Sequence, residues 1–310
     1  MAYGTPSNEE EIVPYYTDIL NGRRPSDEMI EELKKRYRAI GASPLAKISK
    51  DQAALVQKEL ERRYPNDTFT VINGYRHIAP MVGDAIEQLV KEQVDAIIGL
   101  VLSPQYGKES SQPYHDLAHA KLNELNTDIP YNDVVDWYRE PTIIQYWSDQ
   151  LANCMEKVPD GNFHVIFSAH NVPMDNNEGD VYEEQVKHMG QIIAEKAGIP
   201  KDQYSIAWQG GHSQRVKWLE PDIEEATIDL LNRGSKHIIS VPIGFISDNL
   251  EILYDLDIEL KEEIEERGGT LYRLPMPNTD PLLIEALVNP IGNIVEKIAS
   301  VAGLSPDGRL

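Results

Sequence analysis

The chain has 310 residues, a formal net charge of −22, and 41% hydrophobic with 7% aromatic residues, which is enough for buried cores and too apolar for a disordered chain. So acidic a balance repels nucleic acid and anionic lipid, and the single cysteine, Cys154, leaves no internal disulfide and no cysteine-rich metal site. The longest apolar runs, 96–102 and 238–246, fall far short of the roughly 20 residues of a membrane span, and no charged-then-apolar leader opens the sequence, so the expected setting is the cytoplasm.

In chain order, MAYGTP at 1–6 supplies Tyr3 followed by turn formers. Amphipathic stretches over 27–40, 50–63 and 81–91 predict helices, and strand-length apolar runs lie at 68–72 and 96–102. A helical connection near 141–157 leads to a second half in which runs at 164–168, 205–208 and 237–241 alternate with amphipathic stretches at 181–196 and 224–232. A last helix spans about 281–298. Continuous apolar strands separated by helices predict parallel sheets covered on both faces, an α/β fold. The pattern occurs twice, which predicts one α/β domain over 1–149 and another over 150–281, with the helix at about 282–299 packing back onto the first.

Ligand groups in such sheets gather beyond the carboxyl ends of strands. Three segments fit: LVLSPQY at 100–106, IFSAHNVP at 166–173 and VPIGFISDNLE at 241–251. His170 follows a buried strand, where an imidazole binds a metal or accepts a proton near neutral pH. From position alone, a loop histidine making a structural hydrogen bond is the commoner occupant. Glu251, Asp255 and Glu259 stand at i, i+4, i+8, and a helical trace puts them on one stripe whose repulsion a divalent cation would relieve. A solvated acidic face is the plainer reading of the stripe. Arg23, Arg24, Arg36 and Arg76 run against the overall charge and suit carboxylate recognition, although ordinary surface pairing would use many of them. Ser43 and Tyr114 say little by spacing. His115 and His119 share a helical face without an H-E-x-x-H context and read as exposed, His188, His212 and His237 follow no ligand spacing, and the glycine pairs 210–211 and 268–269 lack a nucleotide-binding context. The stretch from Trp208 to Leu219 reads as an aromatic-rich loop.

Taken in order and spacing, MAYGTP, GASPLAKI, GYRHIAP, SAHNVP, AWQ with WLEPD, VPIGFISDNLEILYD and the MPN at 276–278 resemble the ferrochelatases over nearly the whole chain. The resemblance is closest to the coproporphyrin-using enzymes of Gram-positive bacteria. It implies two Rossmann-like domains with a porphyrin in the cleft between them, and insertion of Fe²⁺ with loss of two pyrrole protons. His170 and Glu251 would then form the catalytic metal-site pair, with Asp255 and Glu259 continuing an acidic ridge that holds or relays a divalent ion such as Mg²⁺. Tyr3 would face the opposite side of the ring, and Arg36, Ser43, Arg76 and Tyr114 would hold propionates. Porphyrin and ferrous iron are the implied partners of a monomer without an organic cofactor. Leu20, Gln105 and Asn249 depart from the residues usual in close relatives. The family's first strand precedes the MAYGTP motif, so that strand is expected to be missing here. The nearest rival is a cobalt chelatase, which would carry a second histidine where Glu251 stands; the rival of another class is a non-catalytic porphyrin-binding protein.

Overall fold

The computed structural model describes residues 1–174, 178–210 and 217–301. From the amino terminus run α1 (Ile12–Ile19), α2 (Asp27–Ala39), α3 (Leu45–Arg63), α4 (Val82–Lys91), β1 (Ile97–Leu100), α5 (Gln112–Glu124), β2 (Tyr131–Val134) and α6 (Pro141–Met155). There follow β3 (Phe163–His170), α7 (Glu178–Ala197), β4 (Tyr204–Gln209), α8 (Ile223–Asn232), β5 (His237–Val241), a π-helical segment (Glu251–Leu260), α9 (Lys261–Glu266), β6 (Thr270–Arg273) and α10 (Pro281–Val301). β1 and β2 form one parallel pair, and β4-β3-β5-β6 form a second, wholly parallel sheet. The α/β architecture with helices over parallel strands is the one expected.

The central strand β3 shows why. Val165, Ile166, Phe167 and Ala169 are all fully buried, so both faces of the strand are covered, as its unbroken apolar run requires. On α6, Ile143, Trp147 and Leu151 recur every four residues and are fully buried, which turns one stripe of the helix inward. These residues join Val56 and Leu60 of α3, the β3–β5 strands and Leu283 and Leu287 of α10 in one continuous core. α10 packs on α3 and α6 and reaches β1 and β2. A smaller core lies between α4, β1 and α5, around Ile86, Ile97, Tyr114 and Ala118.

Two strands were not foreseen: β2 (YNDV) is half polar, and β6 (TLYR) has only partly buried residues, so neither has an apolar run to read. The run at 68–72, expected as a strand, belongs to no ladder. A cavity of about 710 Å³ separates it from β1, lined among others by Phe69, Val71, Ile97 and Ile98. At one end of this cavity Met1 and Ala2 bridge its two walls. Met1 O accepts from Leu102 N (2.9 Å), Ala2 N donates to Gly74 O (3.1 Å), and Ala2 O accepts from Arg76 N (3.0 Å). The N-terminal ammonium is buried against Leu100 O (2.6 Å), and that burial pulls its pKa down to about 5. The walls of the cavity are apolar, with Phe69 and Val71 on one side and Ile97 and Ile98 on the other. An apolar strand of about six residues fused ahead of Met1 is expected to enter it and raise Tm by several degrees, since about 1 kcal/mol moves Tm by ~2–4 °C in proteins of 150–250 residues. The comparison is with a fusion interrupted by proline; equal melting of the two would mean that the cavity takes no strand.

Candidate active site

His170 closes β3, and its neighbours fix its ring. Asn171 N donates to Gln209 O (2.7 Å), while the Asn171 side chain exchanges two hydrogen bonds with the backbone of Leu219 (3.1 and 3.0 Å). The carbonyl of this buried residue accepts from His170 Nδ1 (2.6 Å), which assigns the other ring nitrogen, Nε2, to the cleft. Tyr182, also buried, donates its hydroxyl to His170 O (3.2 Å). The loop after β5 approaches the same strand end through Gly244, whose amide donates to Ser168 O (3.1 Å). A Cβ at 244 would lie 2.7 Å from the Cα of Ala169, so only glycine allows this approach.

That loop leads to Glu251. Asn278 of the MPN motif ties it down, accepting from Asp248 N (2.9 Å) and donating to the Asp248 carboxylate (2.7 Å). Asn249, a departure from close relatives, accepts from Ile252 N (2.9 Å) and caps the segment that follows. The segment is π-helical where an α-helix was expected. Bonding to i+5 gives ~4.4 residues per turn, so residues four apart stay nearly in line along the axis. Ile252, Leu256 and Leu260 take the core-facing line, and Glu251, Asp255 and Glu259 take the adjacent one.

Glu251 Oε1 lies 3.4 Å from His170 Nε2. Asp255 and Glu259 are turned instead toward Arg36, whose guanidinium reaches them at 2.7 and 3.3 Å and lies over the Tyr254 ring. Burial alone would lower the pKa of His170, but the Glu251 charge, its hydrogen bond and the Asn171 carbonyl outweigh it and push the imidazole up to about 9. Glu251 is held down correspondingly: burial opposes, and His170 and Arg36 prevail. Each partner thus favours the charged form of the other. Burial raises Asp255 to about 7, with Arg36 working against it and Glu251 and Glu259 adding to it.

Tyr3 is 41% exposed, with its ring against His77 (4.5 Å between centroids) and Tyr15 (6.3 Å). His77 is itself held by Asp18 (2.6 Å). Burial raises the Tyr3 phenol to about 12, and the Glu251 charge adds to the shift. Arg76 also acts on that phenol; it donates to Glu109 O (3.2 Å) and lies over the Tyr114 ring. Tyr114 is buried in the smaller core, and Ser43 accepts from Leu45 N (3.5 Å) at the start of α3. The fold therefore brings His170, Glu251, Asp255, Glu259 and Arg36 into one group and Tyr3, Arg76 and Tyr114 into another.

Among the described residues no three or more His, Cys, Asp or Glu side chains are gathered so as to hold a metal ion, so the four expected ligands are not a preformed cluster. His115, read as exposed, is 2% exposed and lies 3.2 Å from Asp133, which His119 also approaches (3.4 Å); its inward face packs where α5 crosses β2. Gln105 is buried and donates to Met189 Sδ (3.2 Å) and Ile243 O (3.1 Å). Gly211, His212 and most of the aromatic-rich loop lie outside the described residues. The sequence reading missed Asn171, Gln209 and the Asp18–His77 pair. The first two stand inside the quoted SAHNVP and AWQ motifs, which was the available signal.

A sequence model of the ferrochelatase family matches residues 1–293. The chain is 40% identical over 295 residues to the coproporphyrin III ferrochelatase of Halalkalibacterium halodurans, covering 94% of each chain. It is 38% identical to that of Listeria monocytogenes serotype 4b, covering 93% of this chain and 94% of the relative. Among solved structures it is similar in fold to SirB from Bacillus subtilis with Fe³⁺ (TM-score 0.56, 12% identity, 82% of this chain and 91% of that one). CbiX, the terminal enzyme for siroheme biosynthesis in denitrifying bacteria, is also similar (TM-score 0.52, 12% identity, 81% and 93%).

Proposed function

The chain belongs to the ferrochelatase family and inserts Fe²⁺ into a porphyrin in haem biosynthesis; on that premise we propose that the porphyrin is coproporphyrin III, bound between the His170–Glu251 pair and Tyr3. The supporting observation is the pair itself, an imidazole and a carboxylate 3.4 Å apart at the carboxyl ends of β3 and of the loop after β5.

Insertion exchanges two pyrrole protons for one Fe²⁺, with no change of oxidation state. The pair supplies two ligands while the ion sheds water, and the pyrrole nitrogens supply the rest, so a cluster of three protein ligands is not required. As iron binds, the proton on His170 leaves, because a metal ligand must be deprotonated. Asp255 and Glu259, paired with Arg36 at rest, would hold a further divalent cation such as Mg²⁺. In this reading the ring lies between the domains of 1–149 and 150–281, and Arg36, Ser43, Arg76 and Tyr114 form its propionate side. For Arg36 that role means leaving Asp255 and Glu259. For Tyr114 it means acting through Arg76, which covers its ring. No helix among the described residues is long and apolar enough to cross a membrane. A monomer in the cytoplasm completes the proposal.

Coproporphyrin III carries four carboxylates and protoporphyrin IX two. One additional charge-assisted hydrogen bond is worth about 1.5–3 kcal/mol, so kcat/KM under anaerobic Fe²⁺ is expected to favour coproporphyrin III about ten- to a hundredfold. Leu20, which offers no donor, keeps the ratio toward the lower figure. A preference for protoporphyrin IX would remove the coproporphyrin assignment.

A further inference from the structure

The buried residues of α3 are Ser49, Gln52, Val56 and Leu60, one inward stripe of the helix. Val56 and Leu60 belong to the main core, so the stripe calls for apolar side chains, yet Gln52 is a carboxamide that is 1% exposed. Burying a polar group is unfavourable unless it is hydrogen-bonded, and the amide nitrogen of Gln52 serves two acceptors. Nε2 donates to Ser247 Oγ (2.9 Å) and to Asn278 O (2.6 Å), 195 and 226 positions away along the chain. Ser247 is itself buried and stands four residues before Glu251. Asn278 holds the same turn, since its amide donates to Ile246 O (2.8 Å) and its side chain makes the two bonds to Asp248. One turn earlier on the stripe, the hydroxyls of Ser49 and the buried Tyr75 share a hydrogen bond (3.0 Å), and Ser49 O accepts from Asn73 Nδ2 (2.9 Å). α3 therefore ties the turn that leads to Glu251 to the segment that carries Arg76.

We propose that Gln52 is a positioning residue for Glu251, fixing through Ser247 and Asn278 where the carboxylate stands relative to His170. The proposal rests on the reading of His170 and Glu251 as the metal-site pair. Glu251 opens the π-helical segment, so a shift of the turn before it carries the carboxylate along. His170 is held separately, by β3 and the Asn171 carbonyl, and the same shift therefore changes the spacing of the pair. A misplacement of about 1 Å at a reacting group costs on the order of 100-fold in rate. Glutamine suits the place for its reach and its two hydrogens: asparagine is one methylene shorter, and leucine has no donor.

The test sets Gln52→Met, which keeps the length of the side chain and removes its donor, beside Val56→Ala, which loosens the same stripe one turn away from the bonds to Ser247 and Asn278. With anaerobic Fe²⁺, Gln52→Met is expected to lower kcat about tenfold, the scale of a group that orients a metal ligand, and to leave KM for the porphyrin within about twofold. Val56→Ala should keep both within about twofold although it lowers Tm. A readout independent of turnover is titration of the porphyrin-free protein with Co²⁺, which stands next to Fe²⁺ in its affinity for such ligands and reports them in its visible absorption. The band that His170→Ala removes should form in Gln52→Met only at about tenfold higher Co²⁺, and in Val56→Ala at the wild-type concentration. Either an unchanged kcat or an unchanged Co²⁺ midpoint in Gln52→Met overturns the proposal, as do equal losses in Gln52→Met and Val56→Ala, which mark a merely structural role. If Gln52→Met does not fold, Ser247→Ala takes its place by removing one of the two acceptors, and unchanged kcat and Co²⁺ binding there overturn the proposal. A Co²⁺ band and an insertion rate that survive both His170→Ala and Glu251→Gln would refute the reading of the pair instead.

Discussion

His170→Ala is expected to lower the rate of iron insertion at least about 100-fold, the scale of a lost acid–base group, and it removes a metal ligand as well. The ring is held by Asn171 O through Nδ1, so Nε2 faces Glu251 and the cleft. Its side chain is 48% accessible, so truncation removes little packing and Tm should hardly move. Porphyrin binding, followed by fluorescence quenching, should change by no more than a few-fold, because the ring's area and propionates are met elsewhere. Near-normal insertion by a folded His170→Ala protein would take this residue out of the mechanism.

Glu251→Gln is expected to be as damaging, and its neighbours on the same line are expected to be far milder. Glutamine keeps the volume but removes the charge that sustains the imidazolium and would bind iron beside it. A loss of about 100-fold or more follows. Asp255 and Glu259 face Arg36 and do not form the His170 pair, so Asp255→Asn and Glu259→Gln should cost less than about tenfold in kcat and mainly alter the response to added divalent cations. Rates for the four proteins, each with and without Mg²⁺, check this order. Equal and severe losses at all three positions would contradict it.

The buried strands were legible because β3 and β5 carry unbroken apolar runs, and strand ends in a parallel sheet mark the site. β2 and β6 were not, since their partners in the ladder rather than their side chains define them. The stripe of Glu251, Asp255 and Glu259 was visible from spacing, but the π winding was not: it appears only once Asn249, Asn278 and the core fix the segment's ends. Arg36 stands out in sequence as a cation in an acidic chain. That it spans some 220 positions to Asp255 is a tertiary fact that spacing cannot carry. His115 failed for a related reason, since a short helix with polar residues all round gives no clear inward face.

The most direct measurement is the initial rate at which the wild-type chain converts coproporphyrin III to its iron complex with Fe²⁺ under strict anaerobiosis, set beside His170→Ala and Glu251→Gln. Steady insertion by wild type, with both variants close to the rate without protein, is the predicted result. No insertion by well-folded wild type, or insertion that both variants sustain, would contradict the assignment of this chemistry to the His170–Glu251 pair.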